Sequence, residues 1–269
     1  MRVSTVAAFV LLIILPNVSF AEPSNVQGFI AIGPAVAPDF EGSEDYKIAP
    51  LVVGRVQRQE YYLEIQGTRA RANLLPQSFF SMNDSLKLEA GPTFGYRFER
   101  SDVENVRVGS LRDVDAAIEL GGFVALQATG VFSERDALIG RVEAVGDVSD
   151  AHDGHLVTLR GSYAAPIGQD WRIGFGVDST YTSDEYADTY FSIDTDNAAR
   201  SGLGAFDAGG GFKDIGVDLS LQYSVTERWG VMTILRASRL LGDAADNPIV
   251  DGEGSANQIF GGIAVSHRF

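Results

Sequence analysis

The sequence predicts an all-β protein: a single up-and-down antiparallel β-barrel that spans a membrane with about 12 strands. Three observations favour this class. Apolar residues alternate with small or polar ones along most of the chain, the N-terminus has the pattern of a secretion signal, and the last predicted strand ends in an aromatic residue, Phe269. About ten strands is the second choice, because a hairpin predicted within 60–75 is weakly patterned.

The first 21 residues have the pattern of a cleavable signal peptide. Arg2 supplies a positive charge, an apolar run follows over 3–15, and Ser-Phe-Ala at 19–21 offers the small residues that signal peptidase reads. The alternative is a membrane anchor, but the run is shorter than the roughly 20 residues that a spanning helix needs. We therefore expect cleavage after Ala21, export, and a mature barrel over 22–269 in the outer membrane of a Gram-negative cell.

Composition excludes several other functions. Without cysteine, the chain forms no disulfide scaffold, thiolate metal site or cysteine nucleophile. Its formal charge of −15 makes it a poor binder of nucleic acid. After the N-terminal run, the sequence has no apolar stretch near the length of about 18 residues that marks a spanning helix. A barrel stays compatible with this composition, because lipid-facing and lumen-facing residues alternate along each strand.

Period-2 patterning predicts the strands in order. They cover 26–37, 47–57, a short hairpin within 60–75, 84–100, 114–130, 135–147, 154–166, 171–183, 215–226, 229–240 and 257–269. The connections alternate in length, as outer-membrane barrels require. Periplasmic turns are predicted near 58–60, 76–83, 131–134, 167–170 and 226–228. Longer, acidic extracellular loops are predicted at 38–46, 101–113, 148–154, 184–214 and 241–256.

The second face of each strand mixes glycine, alanine and serine with isolated charges, which suits a narrow barrel interior where charges must pair. Our candidate lumen residues are Glu89, Arg97, Asp178 and Arg268, joined by Lys87, Glu119, Arg141, Glu143, Asp218 and Arg236. A soluble periplasmic β-sandwich is the alternative architecture. It explains less easily the aromatic residues near strand ends, such as Trp171 and Trp229, which are typical of membrane-interface girdles.

The last strand has the pattern of an assembly signal. Ile263, Val265 and Phe269 share one face, and we expect the barrel assembly machinery to recognise them before the barrel enters the outer-membrane lipid. His267 occupies a position on the same face that is usually apolar or aromatic.

No catalytic, cofactor or metal site is predicted. A lipid hydrolase would need a serine beside an oriented histidine, and His152, His155 and His267 stand in no such context. Carboxylates crowd two loops and could hold calcium, although the spacing is not that of an EF-hand, so solvated loops are the expectation. The carboxylates in question are Asp184, Glu185, Asp188, Asp194, Asp196, Asp243, Asp246, Asp251 and Glu253.

Two loop segments resemble the MipA/OmpV family of outer-membrane proteins. The first, within 33–46, holds Pro38, Asp39, Phe40, Glu41, Gly42 and Ser43. The second, within 239–250, holds Leu240, Gly242, Asp243, Ala244, Asp246 and Pro248, with Asn247 where the family usually has serine. The resemblance implies an outer-membrane barrel without catalytic residues. The named member of the family is a scaffold that links a lytic transglycosylase to a murein synthase, and others are described as porin-like proteins or adhesins.

We therefore expect a non-enzymatic outer-membrane barrel that acts as a scaffold for enzymes of murein (peptidoglycan) synthesis and hydrolysis. Its partners would be a lytic transglycosylase and a murein synthase, which would contact the periplasmic turns. A narrow porin-like channel for small solutes and a surface adhesin are the alternatives.

Overall fold

The computed structural model describes residues 26–76, 81–83 and 85–269. The predicted signal peptide over 1–21 lies outside the described residues. The strands are β1 (Val26–Pro38), β2 (Tyr46–Arg58), β3 (Tyr61–Gln66), β4 (Arg69–Asn73), β5 (Ser81–Asn83), β6 (Leu86–Arg97), β7 (Ala117–Thr129), β8 (Ala137–Asp147), β9 (His155–Ile167), β10 (Trp171–Thr182), β11 (Gly211–Ser224), β12 (Trp229–Leu240) and β13 (Asn257–Arg268).

All strands belong to one antiparallel sheet that closes on itself. Consecutive strands pair from β6 to β13, β13 pairs with β1, and β1 to β4 continue the sheet. The sheet closes where β4 pairs with β6, for example Arg69 with Gly95 and Ala70 with Phe94. The short β5 only flanks the start of β6, at Lys87. The wall is therefore a closed barrel of twelve strands, which confirms the predicted fold class and strand count.

The predicted strand positions agree with the structure to within a few residues, but three connections differ. The turn predicted over 76–83 contains β5, and the loop predicted over 184–214 ends earlier, because β11 begins at Gly211. That loop also contains two helices, α1 (Asp184–Phe191) and α2 (Thr195–Ser201), and the loop after β12 contains α3 (Asp243–Asp246) and α4 (Pro248–Asp251).

Side chains alternate between two environments along each strand. On β7, the outward Leu120, Val124 and Leu126 are about half exposed, whereas the inward Phe123 and Ala125 are 3% and 1% exposed. Apolar side chains on the outside of a closed sheet are expected when lipid covers them. The described residues include no helix with the length and apolarity to span a membrane.

The two ends of the barrel differ. The terminus end carries the start of β1 and the last residue, where the amide of Gly28 donates to the carbonyl of Phe269 over 3.0 Å. It also carries the turns at 59–60, 130–136, 168–170 and 225–228. The loop end carries the long segments 39–45, 98–116, 148–154, 183–210 and 241–256, together with the tight turn between β3 and β4.

Candidate functional site

The barrel interior is lined by networks of ion pairs, together with small apolar clusters around Leu51 and around Phe123. On one wall the carboxylate of Glu119, 1% exposed, is held by two arginines. Arg69 Nη2 lies 2.7 Å from Glu119 Oε2, and Arg97 Nε donates to Oε1 over 3.0 Å. Each buried charged group lies next to a group of opposite charge. Such pairing offsets the free-energy cost of removing a charge from water.

The same wall continues toward the terminus end with further pairs. Arg71 contacts Glu143, and the hydroxyl of Thr93 donates to Glu143 over 3.2 Å. Nearer the terminus end, Tyr62 donates from its hydroxyl to Glu89 over 2.7 Å. Three guanidinium groups surround the carboxylate of Glu64: those of Arg55, Arg71 and Arg141, at 3.5 to 3.7 Å.

A second network lies on the opposite side of the barrel. Asp178 accepts from Arg160 Nη1 over 2.8 Å and from Arg236 Nη2 over 2.7 Å. Arg160 also reaches Asp218 at 2.6 Å. Glycine makes room for these groups, because a Cβ on Gly176 would lie 2.4 Å from Arg160 Nη2.

The candidate lumen residues have different surroundings. Glu89, Arg97 and Asp178 point inward and take part in the networks described above. Lys87 lines a small polar cavity near the terminus end. Arg268 follows the inward positions of Ala264 and Ser266 on β13 but is exposed at the terminus end. Sequence reasoning missed Glu64, Arg69 and Arg71, because β3 and β4 are too short to show a clear alternation.

The long segments at the loop end fold together into an ordered plug, which we define as 39–45, 98–116, 148–154, 183–210 and 241–256. Two buried apolar clusters hold it together. The first comprises Val114, Val145, Leu156, Tyr186, Ala187, Tyr190, Phe191, Ala208, Leu240, Ala244 and Val250. The second comprises Phe40, Val108, Leu111, Ile193, Leu203 and Ile249. Since Val145, Leu156 and Leu240 are strand residues, the plug is packed on the wall as well as on itself.

Local capping explains the short helices of the plug. The carboxylate of Asp194 accepts from the amide of Asn197 and caps α2, which ends at Gly202 in the left-handed region at φ 71°. Asn247 caps α4 by accepting from two backbone amides, with Pro248 in the first turn. One loop acid, Asp194, thus serves as a cap. The described part of the chain has no group of three or more His, Cys, Asp or Glu residues placed to hold a metal ion.

Glu41 is the centre of the contact between plug and wall. Its carboxylate contacts Lys213 at the start of β11 and accepts from the Tyr186 hydroxyl over 2.7 Å. Lys213 is also 2.7 Å from Asp214. Burial raises the pKa of Glu41, but the charges of Lys213 and Arg97 outweigh it, so the pKa lies below its ordinary value. Burial keeps the pKa of Tyr186 well above its ordinary range, so the phenol remains a donor.

His152 makes the second contact between plug and wall. Its side chain is fully buried, and its Nε2 lies 3.4 Å from Glu119 Oε1. Its ring packs edge-on to Tyr186, with ring centres 5.1 Å apart. His152 is thus a loop residue whose side chain is buried against the wall. His267 points outward between the rings of Trp229 and Phe269 at the terminus end.

The two family-like segments meet inside the plug. Gly42 has φ 97°, and a Cβ there would lie 2.4 Å from Val250 Cγ2. Phe40 and Ile249 share one buried cluster. Gln258, on β13, joins the first segment by accepting from the Gly42 amide over 3.2 Å. Sequence patterning indicated two specific loops, whereas their mutual contact follows only from the closed barrel. The assembly-signal candidates Ile263 and Val265 on β13, and Phe269 directly after it, are exposed, each by more than half.

Comparison with known proteins agrees with this architecture. A sequence profile described as "MltA-interacting protein MipA" matches residues 30–269. The chain belongs to the MipA family. A relative of this MipA-family chain, the outer membrane protein OmpV of Vibrio cholerae serotype O1, is 34% identical over 90 residues, which are 34% of this chain and 33% of OmpV. The match thus spans about a third of that relative.

Solved structures include other outer-membrane barrels similar to this MipA-family fold. The COG4313 outer membrane channel from Pseudomonas putida F1 has a TM-score of 0.48 and 12% identity, covering 95% of this chain and 100% of that chain. The KdgM porin has a TM-score of 0.39 and 10% identity, covering 91% and 99%. The family and the similarity to OmpV identify the chain as an outer-membrane barrel.

Proposed function

We propose that this barrel is closed at rest and acts by display, as a scaffold for murein-processing enzymes at the periplasmic side. The observation that carries the proposal is the plug. Its buried clusters and the contact of Glu41 with Lys213 tie the loop-end segments to the wall. A barrel with such a plug is suited to holding a rigid surface in the membrane rather than to free diffusion of solutes.

The identity of the partners is supported by the family description, which names an MltA-interacting protein. On this proposal the terminus end faces the periplasm, and a lytic transglycosylase and a murein synthase dock there. The turn over 130–136 is preorganised for display. The carboxylate of Asp136 accepts from the amides of Val131, Phe132 and Ser133 at 2.8 to 2.9 Å, and the Phe132 side chain is 78% exposed.

Site-specific photocrosslinking in cells tests the scaffold. A photoreactive residue at Glu134 or at Gln169 labels two turns of the terminus end, and one at Asp196 in α2 is the matched control at the loop end. The scaffold predicts adducts with murein hydrolases or synthases from Glu134 or Gln169 and none from Asp196. Absence of such adducts at both turns, with the barrel correctly assembled, would exclude the scaffold.

A gated narrow channel is the second candidate function, and the charged interior favours it. A cavity of about 80 Å³ near the terminus end is lined by Arg55, Gln57, Lys87, Glu89 and Gln127, among others. The loop-end segments carry acidic residues over basic ones by about five to one, so an opened pore would attract cations. Planar-bilayer recordings distinguish the channel from the closed scaffold. The scaffold predicts no conductance steps, whereas the channel predicts cation-selective conductance steps when the plug is released.

A further inference from the structure

The outer wall of the barrel carries an apolar groove across β8 to β11. It has a volume of about 440 Å³. Its outward lining consists of Gly140, Val142, Leu159, Gly161, Val177, Ser179 and Ile215. The intervening Arg141, Arg160 and Asp178 also border it. Because side chains alternate along a strand, these three direct their charged groups into the barrel, where they form ion pairs. They therefore offer the groove their backbone.

Two glycines form the floor of this groove. Gly140 and Gly161 are direct cross-strand partners. A Cβ on Gly140 would meet nothing within 4 Å, and one on Gly161 would meet only Val177 Cγ2 at 3.8 Å. Glycine inside a strand weakens it, and often marks a bulge, a bend or a close approach of another group. Gly121 on β7 is such a case within the chain, since its Cβ would lie 1.9 Å from the carbonyl oxygen of Ala144.

Among the described residues, no contact requires glycine at either floor position, which leaves the space open to a group from outside the chain. Neither residue has a positive φ, and each has room for a side chain. The occupant must be apolar, because the groove presents no charged group. The one outward hydroxyl, that of Ser179, already donates to the carbonyl of Asp214 over 2.7 Å.

The occupant cannot be an added strand, because β8, β9 and β10 are paired along both edges. At roughly 30 Å³ for a water-sized group, the groove has room for on the order of 15 groups the size of a methylene. The wall around it is apolar and half exposed, with Val142, Leu159 and Val177 between 43% and 48% exposed. This wall faces the hydrocarbon of the membrane.

We propose that this groove binds one acyl chain of an outer-membrane phospholipid. The inner leaflet supplies it, since β8 begins at Ala137, next to the terminus end, and Gly140 is only three residues further along. The lipid fills space that the chain leaves empty by placing two glycines opposite each other. The choice of the inner leaflet rests on the orientation proposed above, with the terminus end in the periplasm, whereas the groove itself does not depend on the scaffold role.

The test fills the groove and asks whether the lipid is lost. The variant Gly140→Leu/Gly161→Leu occupies the floor. Gly261→Leu is the control, because Gly261 lies on the lipid-facing side of β13 between Ile259 and Ile263, where a Cβ would meet only the flexible end of Leu235, at 3.3 Å. The delipidated barrels in detergent are titrated with palmitoyl-oleoyl phosphatidylethanolamine and analysed by native mass spectrometry under increasing collision energy.

The wild type and the control should keep one bound phospholipid after all others are removed. In the filled variant, the fraction of barrel with one bound phospholipid should be at least tenfold lower. Heat-modifiable gel migration checks that each barrel is folded, and the single Gly140→Leu variant supplies the result if the double variant does not fold. Equal retention in wild type and filled barrel would overturn the proposal. So would retention of lipid A in preference to the phospholipid, or a dimer that the leucines abolish.

Discussion

Replacing Lys213 with methionine tests the attachment of the plug. The Lys213 side chain is 6% exposed, and its ammonium group contacts the carboxylates of Glu41 and Asp214, whereas methionine keeps the length of the side chain without its charge. Removing one partner of a buried ion pair costs about 3–5 kcal/mol. Because Glu41 is 26% exposed, we expect the lower value, about 3 kcal/mol.

A destabilisation of this size has a measurable effect on the plug. At about 1.4 kcal/mol per factor of ten, the population of the detached plug should rise on the order of 100-fold. Amide hydrogen exchange of α1, followed by mass spectrometry, reports this population directly. Protection in α1 should therefore fall by about two orders of magnitude in Lys213→Met, while amides in β7 and β12 keep their protection, because the wall does not depend on this contact.

Arg112→Ala is the matched control. Arg112 also forms an ion pair within the plug, with Asp194 at 3.1 Å, but the two side chains are 70% and 48% exposed. An exposed pair contributes roughly 0–1 kcal/mol, so exchange in α1 should change by less than about tenfold. If Lys213→Met leaves α1 as protected as the wild type, or if both variants have the same effect, the contact of Glu41 with Lys213 does not hold the plug.

Three further predictions concern the plug and one turn. In differential scanning calorimetry, Gly42→Val should lower the melting temperature by more than Gly67→Val does. Both glycines have positive φ, but only Gly42 has the Val250 side chain against it. An equal decrease in both variants would show that backbone strain is the whole effect. Because the pKa of Glu41 in the folded plug lies below its ordinary value of 4.5, the ionised carboxylate stabilises the plug at any pH above 4.5. Hydrogen-exchange protection of α1 should therefore be constant from about pH 7 to pH 5 and should fall at lower pH, as Glu41 takes up a proton. In Glu41→Gln this dependence should vanish, and its persistence would assign the effect to another group. Asp136→Ala should remove the acceptor of three turn amides. Amide hydrogen exchange should then be faster in residues 130–136 only, and unchanged exchange would refute the role of Asp136.

The sequence predicted the strands of the wall closely, because apolar residues recur at every second position along most strands. The alternation from Leu86 to Arg97 and from Trp171 to Thr182 was visible without knowing which strand lay next to which. The weak hairpin within 60–75 was also placed correctly, as β3 and β4. The lumen candidates Glu89, Arg97 and Asp178 were found by the same rule, since an isolated charge on the small-residue face of a strand points into the barrel.

The plug could not be predicted in this way. Its contacts join segments far apart in the chain, such as Glu41 with Tyr186 and Gly42 with Val250. Acidic composition indicated solvated loops, yet Asp194 serves as a helix cap and Glu41 is neutralised by Lys213. The partners of each charge depend on the order and stagger of the closed strands, which no local pattern records.

From the sequence alone, then, came the twelve strands and the face that side chains take on the long strands, because strand periodicity is a local property of the chain. Only the tertiary structure decided that the loops pack on one another and on the wall, which charges pair inside the barrel, and that Gly140 meets Gly161 on its outer face. These depend on closure of the sheet, which brings residues distant in sequence within contact and removes their charges from water.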